Sequence, residues 1–390
     1  FYSQASVAKA WVAKVHPELV RIAKTIPYFA RNAAWHAYRG GIFLVRILGK
    51  VDEASEIDIN SAYPYALSQL PDLRNLSWHQ GAGYHKGVYS FHYVDVKHDG
   101  FIPYRTGKNY IIYPESNDYI PLWLTGIEVD YLISKGLTSP EKVRYSVWAT
   151  GAAGKAFPEI PSLYAMRLRY KKKAKEGDKA AEAAQWGIKI VMNSIYGVLA
   201  QSRPGITRFT NMVYAAYITA MTRRKIWELA DRVGRENIIS IQTDALVFKG
   251  GRVRGIKESN DLGDVKYEFE SQEVITYMNG LAIRAGELKK RGFPTLTKEM
   301  LLSAKGDTLS VRREKPVRLL EGLVKKTVDK IGAWVEEEKV IDLKANLLKG
   351  EVDPELLKFE ILNTREVPLY PLKVYKPEKM KIHYRSLELR

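Results

Sequence analysis

The sequence predicts an α+β chain, and three observations carry that reading. Four stretches repeat their apolar residues at the helical period, one long stretch alternates with period two, and two short apolar runs flank a turn. Residues 1–35 are helical by the spacing of Trp11, Val15, Leu19 and Ile22, and Gly40-Gly41 breaks the pattern. Strands are expected at 42–47 and 56–59. Residues 87–120 are β-rich, with Val88, Tyr89, Phe91, Tyr93 and Val94 set among Gly, Pro and Asn-Asp punctuation. Residues 161–175 and 178–199 read as two helices joined at Glu176-Gly177, a helical hairpin. A further helix is expected at 212–233. Strands at 238–241 and 246–248 then form a hairpin around Gln242-Thr243-Asp244-Ala245. Beyond residue 263 the chain is charged and mixed, with helical stretches expected near 319–338.

The bulk composition narrows the partner. With 390 residues, 46% of them hydrophobic, the chain is long enough for two or three domains or one multi-lobed enzyme. A formal net charge of +17 favours a polyanion, with nucleic acid the leading candidate, and 24 tyrosines add flat surfaces for stacking. A basic protein with no nucleic-acid role is the plain alternative. The lack of cysteine excludes disulfides and thiolate metal sites, so any metal is held mainly by carboxylates. No apolar run reaches the roughly 18 residues of a membrane span, and no signal peptide is recognisable, so a cytoplasmic protein without a membrane partner is expected. The chain starts at Phe1 rather than Met, which suggests a fragment or a processed product.

The most informative stretch is Lys189-Ile-Val-Met-Asn193-Ser194-Ile-Tyr196-Gly197. On a helix, Lys189, Asn193 and Tyr196 are spaced i, i+4, i+7, so one face gathers a cation, an amide and a phenol. Such a stripe, ending in a glycine that admits close approach, suits a triphosphate and a stacked base. A solvated amphipathic face is the alternative for Lys189 alone. Asp58 ends an apolar strand and Pro64 suits the first turn of the next helix, a junction able to hold a phosphate tail and a metal together. Taken singly, Asp58 could be an ordinary helix-leading acid and Asp244 an ordinary turn residue. The run Lys171-Lys172-Lys173-Ala174-Lys175 is either a solvated helix face or a phosphate-facing one.

Their order on the chain makes the pattern specific. Asp58-x-x-Ser61-x-Tyr63-Pro64, Lys189-x-x-x-Asn193-Ser194-x-Tyr196-Gly197 and Thr243-Asp244 resemble motifs A, B and C of family B DNA polymerases. Tyr38-Arg39-Gly40-Gly41 and Thr219-Ala220-Met221-Thr222-Arg223 resemble two motifs of the protein-primed subgroup, and the resemblance covers about residues 30–280. It implies a right hand divided as an N-terminal helical segment at 1–37, palm at 38–76, a β-rich insertion with palm at 77–156, fingers at 157–199, palm at 200–262, and thumb with the C-terminal region from 263 to 390. It further implies two Mg²⁺ ions, with Mn²⁺ as a substitute, on Asp58 and Asp244, assisted by the Ile59 carbonyl. Ser61, Ala62, Tyr63, Lys189, Asn193, Arg167 and Lys171 would bind the deoxynucleotide, with Tyr63 excluding a 2′-hydroxyl. Tyr38, Gly40, Gly41, Tyr196, Gly197, Thr219, Arg223, Thr243 and Tyr277 would hold the DNA primer–template, largely through backbone phosphates. Lys173 is a further phosphate candidate.

The expected activity is therefore template-directed DNA polymerisation, in a protein of microbial, plasmid, viral or organellar origin. No D-x-E exonuclease signature lies near the N-terminus, so no proofreading by this chain is expected and a separate exonuclease subunit is a candidate partner, as is a priming protein. Two positions depart from the pattern. Gln242 stands where motif C has an acid, and Ile275 falls where the K-x-Y motif has its lysine. These motivate the alternative of a catalytically impaired, polymerase-like nucleic-acid-binding protein. A ribonucleotide-using enzyme is a third reading, which Tyr63 disfavours.

Overall fold

The computed structural model describes residues 4–105, 111–201, 209–256, 258–291, 293–304, 308–317, 328–330 and 332–342. Its N-terminal region is three helices, α1 (Gln4–Val15), α2 (Leu19–Thr25) and α3 (Tyr28–Ala37), rather than one. Pro27 precedes α3, and its ring is incompatible with helix for the residue before it, so α2 stops at Thr25. Strands β1 (Ile42–Val45) and β2 (Gly49–Ile59) follow, then α4 (Ala62–Gln69). The β-rich stretch holds β3 (Ser77–Ala82), β4 (Tyr89–Asp99), β5 (Tyr104–Arg105), β6 (Ile111–Ile112), β7 (Glu115–Thr125), helix α5 (Gly126–Ser134) and β8 (Val143–Thr150).

The expected helical hairpin is α6 (Ile160–Lys175) and α7 (Lys179–Ala200). Gly177 turns the chain at φ +95°, and the Asp178 carboxylate caps α7 by accepting from the Ala181 amide at 2.9 Å. Helix α8 (Met212–Val233) leads to the hairpin β9 (Ile238–Thr243) and β10 (Ala245–Lys249). Then come β11 (Val265–Met278), β12 (Leu281–Arg284), β13 (Glu287–Lys290), α9 (Lys298–Leu302), β14 (Thr308–Pro316) and β15 (Trp334–Asp342).

Two antiparallel sheets frame the molecule. The larger has the order β1-β9-β10-β2-β11-β12-β13, and the smaller β3-β8-β4-β7. Helix α8 joins them. Its C-terminal half (Ile226, Trp227, Leu229, Ala230) packs into the core shared by both sheets. Its N-terminal half (Val213, Tyr214, Tyr217) packs into a second core with α1–α4 and α7. Two expectations need correction. The division expected at residue 263 does not separate sheets: β11–β13 continue the larger one, because β11 pairs along β2 from Val265↔Ile59 to Thr276↔Gly49. Part of the helix expected near 319–338 is strand β15, paired with β14 and tied by a Lys315–Glu337 ion pair at 2.7 Å. Residues 318–327 lie outside the described residues.

Candidate active site

Asp58 sits near the end of β2, level with Ala245 of β10 on one side and Lys266 of β11 on the other. Asp244 occupies the turn between β9 and β10, and its carbonyl accepts from the Ile59 amide at 3.0 Å. The turn is unusual because Thr243, a β-branched residue, holds φ 63°. Gly41 explains how the neighbouring strand accommodates it. A Cβ on Gly41 would lie 2.7 Å from the Thr243 Cγ2 and 3.1 Å from its Cα. The glycine ahead of β1 and the strained threonine are therefore two halves of one close contact.

Asp58, Ser61, Ala62, Tyr63, Arg167, Lys171, Lys189, Asn193 and Asp244 line one cavity of about 430 Å³. That volume is within the range of small-molecule sites. The large sheet supplies the carboxylates and Lys266, and the α6–α7 hairpin supplies the other cations. Burial, then the Asp244 carboxylate and the acids Glu268 and Glu56, push the Asp58 carboxyl up to about 7. Burial also raises Asp244. Two such oxygen-donor groups, each disfavoured as an anion by its surroundings, are what a divalent cation stabilises, so these residues fit a hard metal ion. Among the described residues there is no cluster of three or more potential metal ligands. Arg167 donates to the Ser61 hydroxyl at 3.3 Å, while its Nε is buried with no hydrogen-bond partner. Lys189 rests over the Trp186 ring, 5.6 Å from the centroid.

Three tyrosines from distant parts of the chain meet beside the cavity. The Tyr38 and Tyr196 hydroxyls share a 2.6 Å hydrogen bond, and the Tyr63 and Tyr196 rings lie 4.5 Å apart. Gly40 and Gly197 both face open space, with nothing within 4 Å of a built Cβ. Gly197 therefore weakens a helix interior by about 1 kcal/mol relative to Ala without any packing need.

Two residues expected to touch nucleic acid do not reach the surface. Thr219 is fully buried, and its hydroxyl donates to the Ala215 and Ala216 carbonyls at 3.2 and 3.1 Å. Arg223 is also fully buried. It donates to Glu128 Oε1 at 2.9 and 2.7 Å, and to the carbonyls of Arg39 and Gly40 at 2.6 and 2.7 Å. It thus grips the Tyr38–Gly41 turn from beneath. Tyr277 lies eleven positions along β11 from Lys266 and packs against a separate apolar cluster, up to roughly 36 Å away at strand rise. Sequence reasoning also missed residues that do line the cavity, chiefly Lys266 and Glu268. The available signal was the alternation of Val265, Tyr267 and Phe269 with Lys266, Glu268 and Glu270, which marks a strand with one charged face. Gln242 does not line the cavity.

The family profile described as DNA polymerase type B, organellar and viral, matches residues 30–216. A DNA polymerase of Acidianus bottle-shaped virus (isolate Italy/Pozzuoli) is 24% identical over 363 residues, covering 84% of this chain and 50% of that protein. Over these spans the chain is similar to DNA polymerases of type B. It spans about half the length of that viral relative. Phi29 DNA polymerase with primer–template DNA and incoming nucleotide superposes with a TM-score of 0.63 at 15% identity, over 88% of this chain and 68% of that one. Its post-translocation binary complex with primer–template gives 0.61 at 16% identity, over 87% and 67%. The fold is therefore the right hand of palm, fingers and thumb. Among the described residues no helix is long and apolar enough to cross a membrane.

Proposed function

We propose that this chain is a template-directed DNA polymerase, adding deoxynucleotides to a primer 3′-hydroxyl. The observation that carries this is the meeting, in one cavity, of Asp58 and Asp244 from the large sheet with Arg167, Lys171, Lys189 and Asn193 from the helical hairpin, beside Tyr63. In this reading the large sheet is the palm and α6–α7 the fingers. The Asp58 and Asp244 carboxylates would hold two Mg²⁺ or Mn²⁺ ions, with the Ile59 carbonyl assisting. Bound there, such ions polarise phosphoryl oxygens and lower the pKa of a coordinated hydroxyl.

The protein's own contribution is alignment and charge. Lys189, Arg167 and Lys171 bind the phosphate tail, and the buried, unpartnered Nε of Arg167 is a donor ready for it. Asn193 helps place the nucleotide. Tyr63, backed by the Tyr196 ring, serves to exclude a 2′-hydroxyl in this reading. The open backbone at Gly40 and Gly197 admits the primer–template, with Tyr38 alongside. Holding the reactants in line in this way removes much of the entropic barrier without a covalent intermediate. Asp58, Tyr63, Lys189 and Asn193 all line this cavity, and a pure binding module gains little from such a set, which disfavours the impaired-binder alternative.

The test is primer extension with deoxynucleotides and Mg²⁺ or Mn²⁺, on a matched primer–template. Extension by the parent chain and its loss in Asp244→Asn with either metal are expected. No extension by the parent protein, or full activity in Asp244→Asn, would overturn the assignment.

A further inference from the structure

Lys266 has a position that the polymerase reading does not use. It is the direct cross-strand neighbour of Asp58, and opposed residues in an antiparallel ladder project from the same face. Its side chain therefore lies on the cavity side of the sheet, while Tyr267 and Ile57 fill the core behind it. The next residue, Glu268, falls in a bulge, where the β2–β11 register shifts between Tyr267 and Phe269. A bulge re-aims a side chain, and here it leaves Glu268 beside Lys266, with Nζ to Oε1 at 2.7 Å. Both members of this pair are 43% exposed. Such a pair contributes only about 0–1 kcal/mol to folding, so stability does not explain it.

What surrounds Lys266 does. Across the cavity stand Arg167 and Lys171 of α6 and Lys189 of α7. Four cations from three separate elements thus converge on one space, together with three acids. The repulsion is felt, since burial and then Arg167, Lys175 and Lys266 lower the Lys171 ammonium below its ordinary range. Cations that converge at a cost to one another mark a polyanion site. Three of them ride on the helical hairpin, whereas Lys266 is on the sheet that bears Asp58.

We propose that Lys266 is a palm-side ligand for the phosphate tail of the incoming nucleotide and for the pyrophosphate released from it, with Glu268 holding its ammonium until the tail arrives. The tail is then gripped from two sides: by the fingers cations and by a lysine whose place does not depend on them. The inference rests on the polymerase reading for its nucleotide, but its anion chemistry can be measured alone. The competing role is simple offset of the Asp58, Asp244 and Glu268 charges. That role predicts tighter metal binding when Lys266 is removed and no change toward anions.

The experiment measures pyrophosphate binding to the parent protein, Lys266→Ala and Lys266→Arg by calorimetry with Mg²⁺ present. The nucleotide KM and kcat in primer extension are measured alongside, and melting curves serve as a folding control. For a partly solvated charge-assisted hydrogen bond, the expected loss is about five- to twentyfold in pyrophosphate affinity and in KM for Lys266→Ala. The kcat should stay within about twofold, and Lys266→Arg should recover most of the affinity. Pyrophosphate binding within twofold of the parent in Lys266→Ala would overturn the proposal. If the parent binds pyrophosphate through Lys266 yet extends no primer, the polymerase reading fails while the anion site stands. If the parent extends primers and Lys266→Ala matches it in both assays, only the Lys266 role fails.

Discussion

Arg223 offers the sharpest test of how this fold holds the Tyr38–Gly41 turn. Arg223 and Glu128 are both fully buried, and the pair is closed by two contacts at 2.9 and 2.7 Å. Glu128 is further satisfied by the Thr125 amide and hydroxyl at 3.1 and 2.8 Å. Around them lie more cations than anions. Burial, then Arg105, lowers the Arg39 guanidinium to about 9, and burial lowers the His98 ring to about 3 with Arg39 adding to it. Removing either partner strands a buried charge, which typically costs about 3–5 kcal/mol. Against a total stability of about 5–15 kcal/mol, that is a large fraction.

Arg223→Met and Glu128→Gln should each lower stability by this amount in urea melts. The double variant should lose about 1–3 kcal/mol less than the sum, since the two side chains are in direct contact. Arg223→Met should also weaken primer–template binding, because the Arg39 and Gly40 carbonyls lose their donor and the turn loosens. Its salt dependence should not change, since the guanidinium touches no phosphate. A direct phosphate ligand would instead reduce the salt slope by about 1 when removed. Destabilisation below about 1 kcal/mol, strict additivity in the double variant, or a reduced salt slope would each refute the argument.

Four further outcomes are expected. Because the folded-state pKa of Asp58 is raised from 3.8 to about 7, the metal-free protein should lose stability as pH rises across that window. Asp58→Asn should therefore stabilise it above pH 7 by roughly 1–4 kcal/mol in EDTA while abolishing extension; a flat pH–stability profile in the parent would contradict this. Gly41→Ala should cost about 1–3 kcal/mol by overpacking against Thr243, whereas Gly40→Ala should melt like the parent yet bind primer–template more weakly, a split visible by comparing melts with filter binding. Tyr63→Ala should raise ribonucleotide incorporation relative to deoxynucleotide by at least about tenfold, as expected for losing steric rejection worth roughly 1–3 kcal/mol. The His16 ring nitrogens donate to the Glu159 and Glu18 carboxylates at 2.8 and 3.0 Å when the ring is charged. Burial opposes its charge, but these acids outweigh it and raise its pKa, so the stability it lends is complete below pH 6.5 and fades as pH rises beyond. His16→Gln should remove that pH dependence from thermal melts.

The legible part of this protein was local. The pattern of apolar residues placed α7 within a residue or so of its ends, and α8 and the β9–β10 hairpin likewise, because helical and strand periodicity are properties of neighbouring residues. Residue type and order also marked Asp58, Lys189, Asn193 and Asp244 before any of them had a spatial partner. What periodicity could not carry was register and burial. The T-x-x-[GA]-R resemblance named Arg223, yet only the packing of α8 between two sheets turned it from a phosphate contact into a buried clamp. Lys266 and Glu268 lay in a stretch read as mixed, and became part of the site only when β11 paired with β2 and bulged beside Asp58. The meeting of Tyr38, Tyr63 and Tyr196 likewise depends on contacts across 158 residues of chain. The identities of the reactive groups are written in the sequence one by one; their charge states, and which of them can touch a ligand, follow from long-range pairing and desolvation, which exist only once the chain has folded.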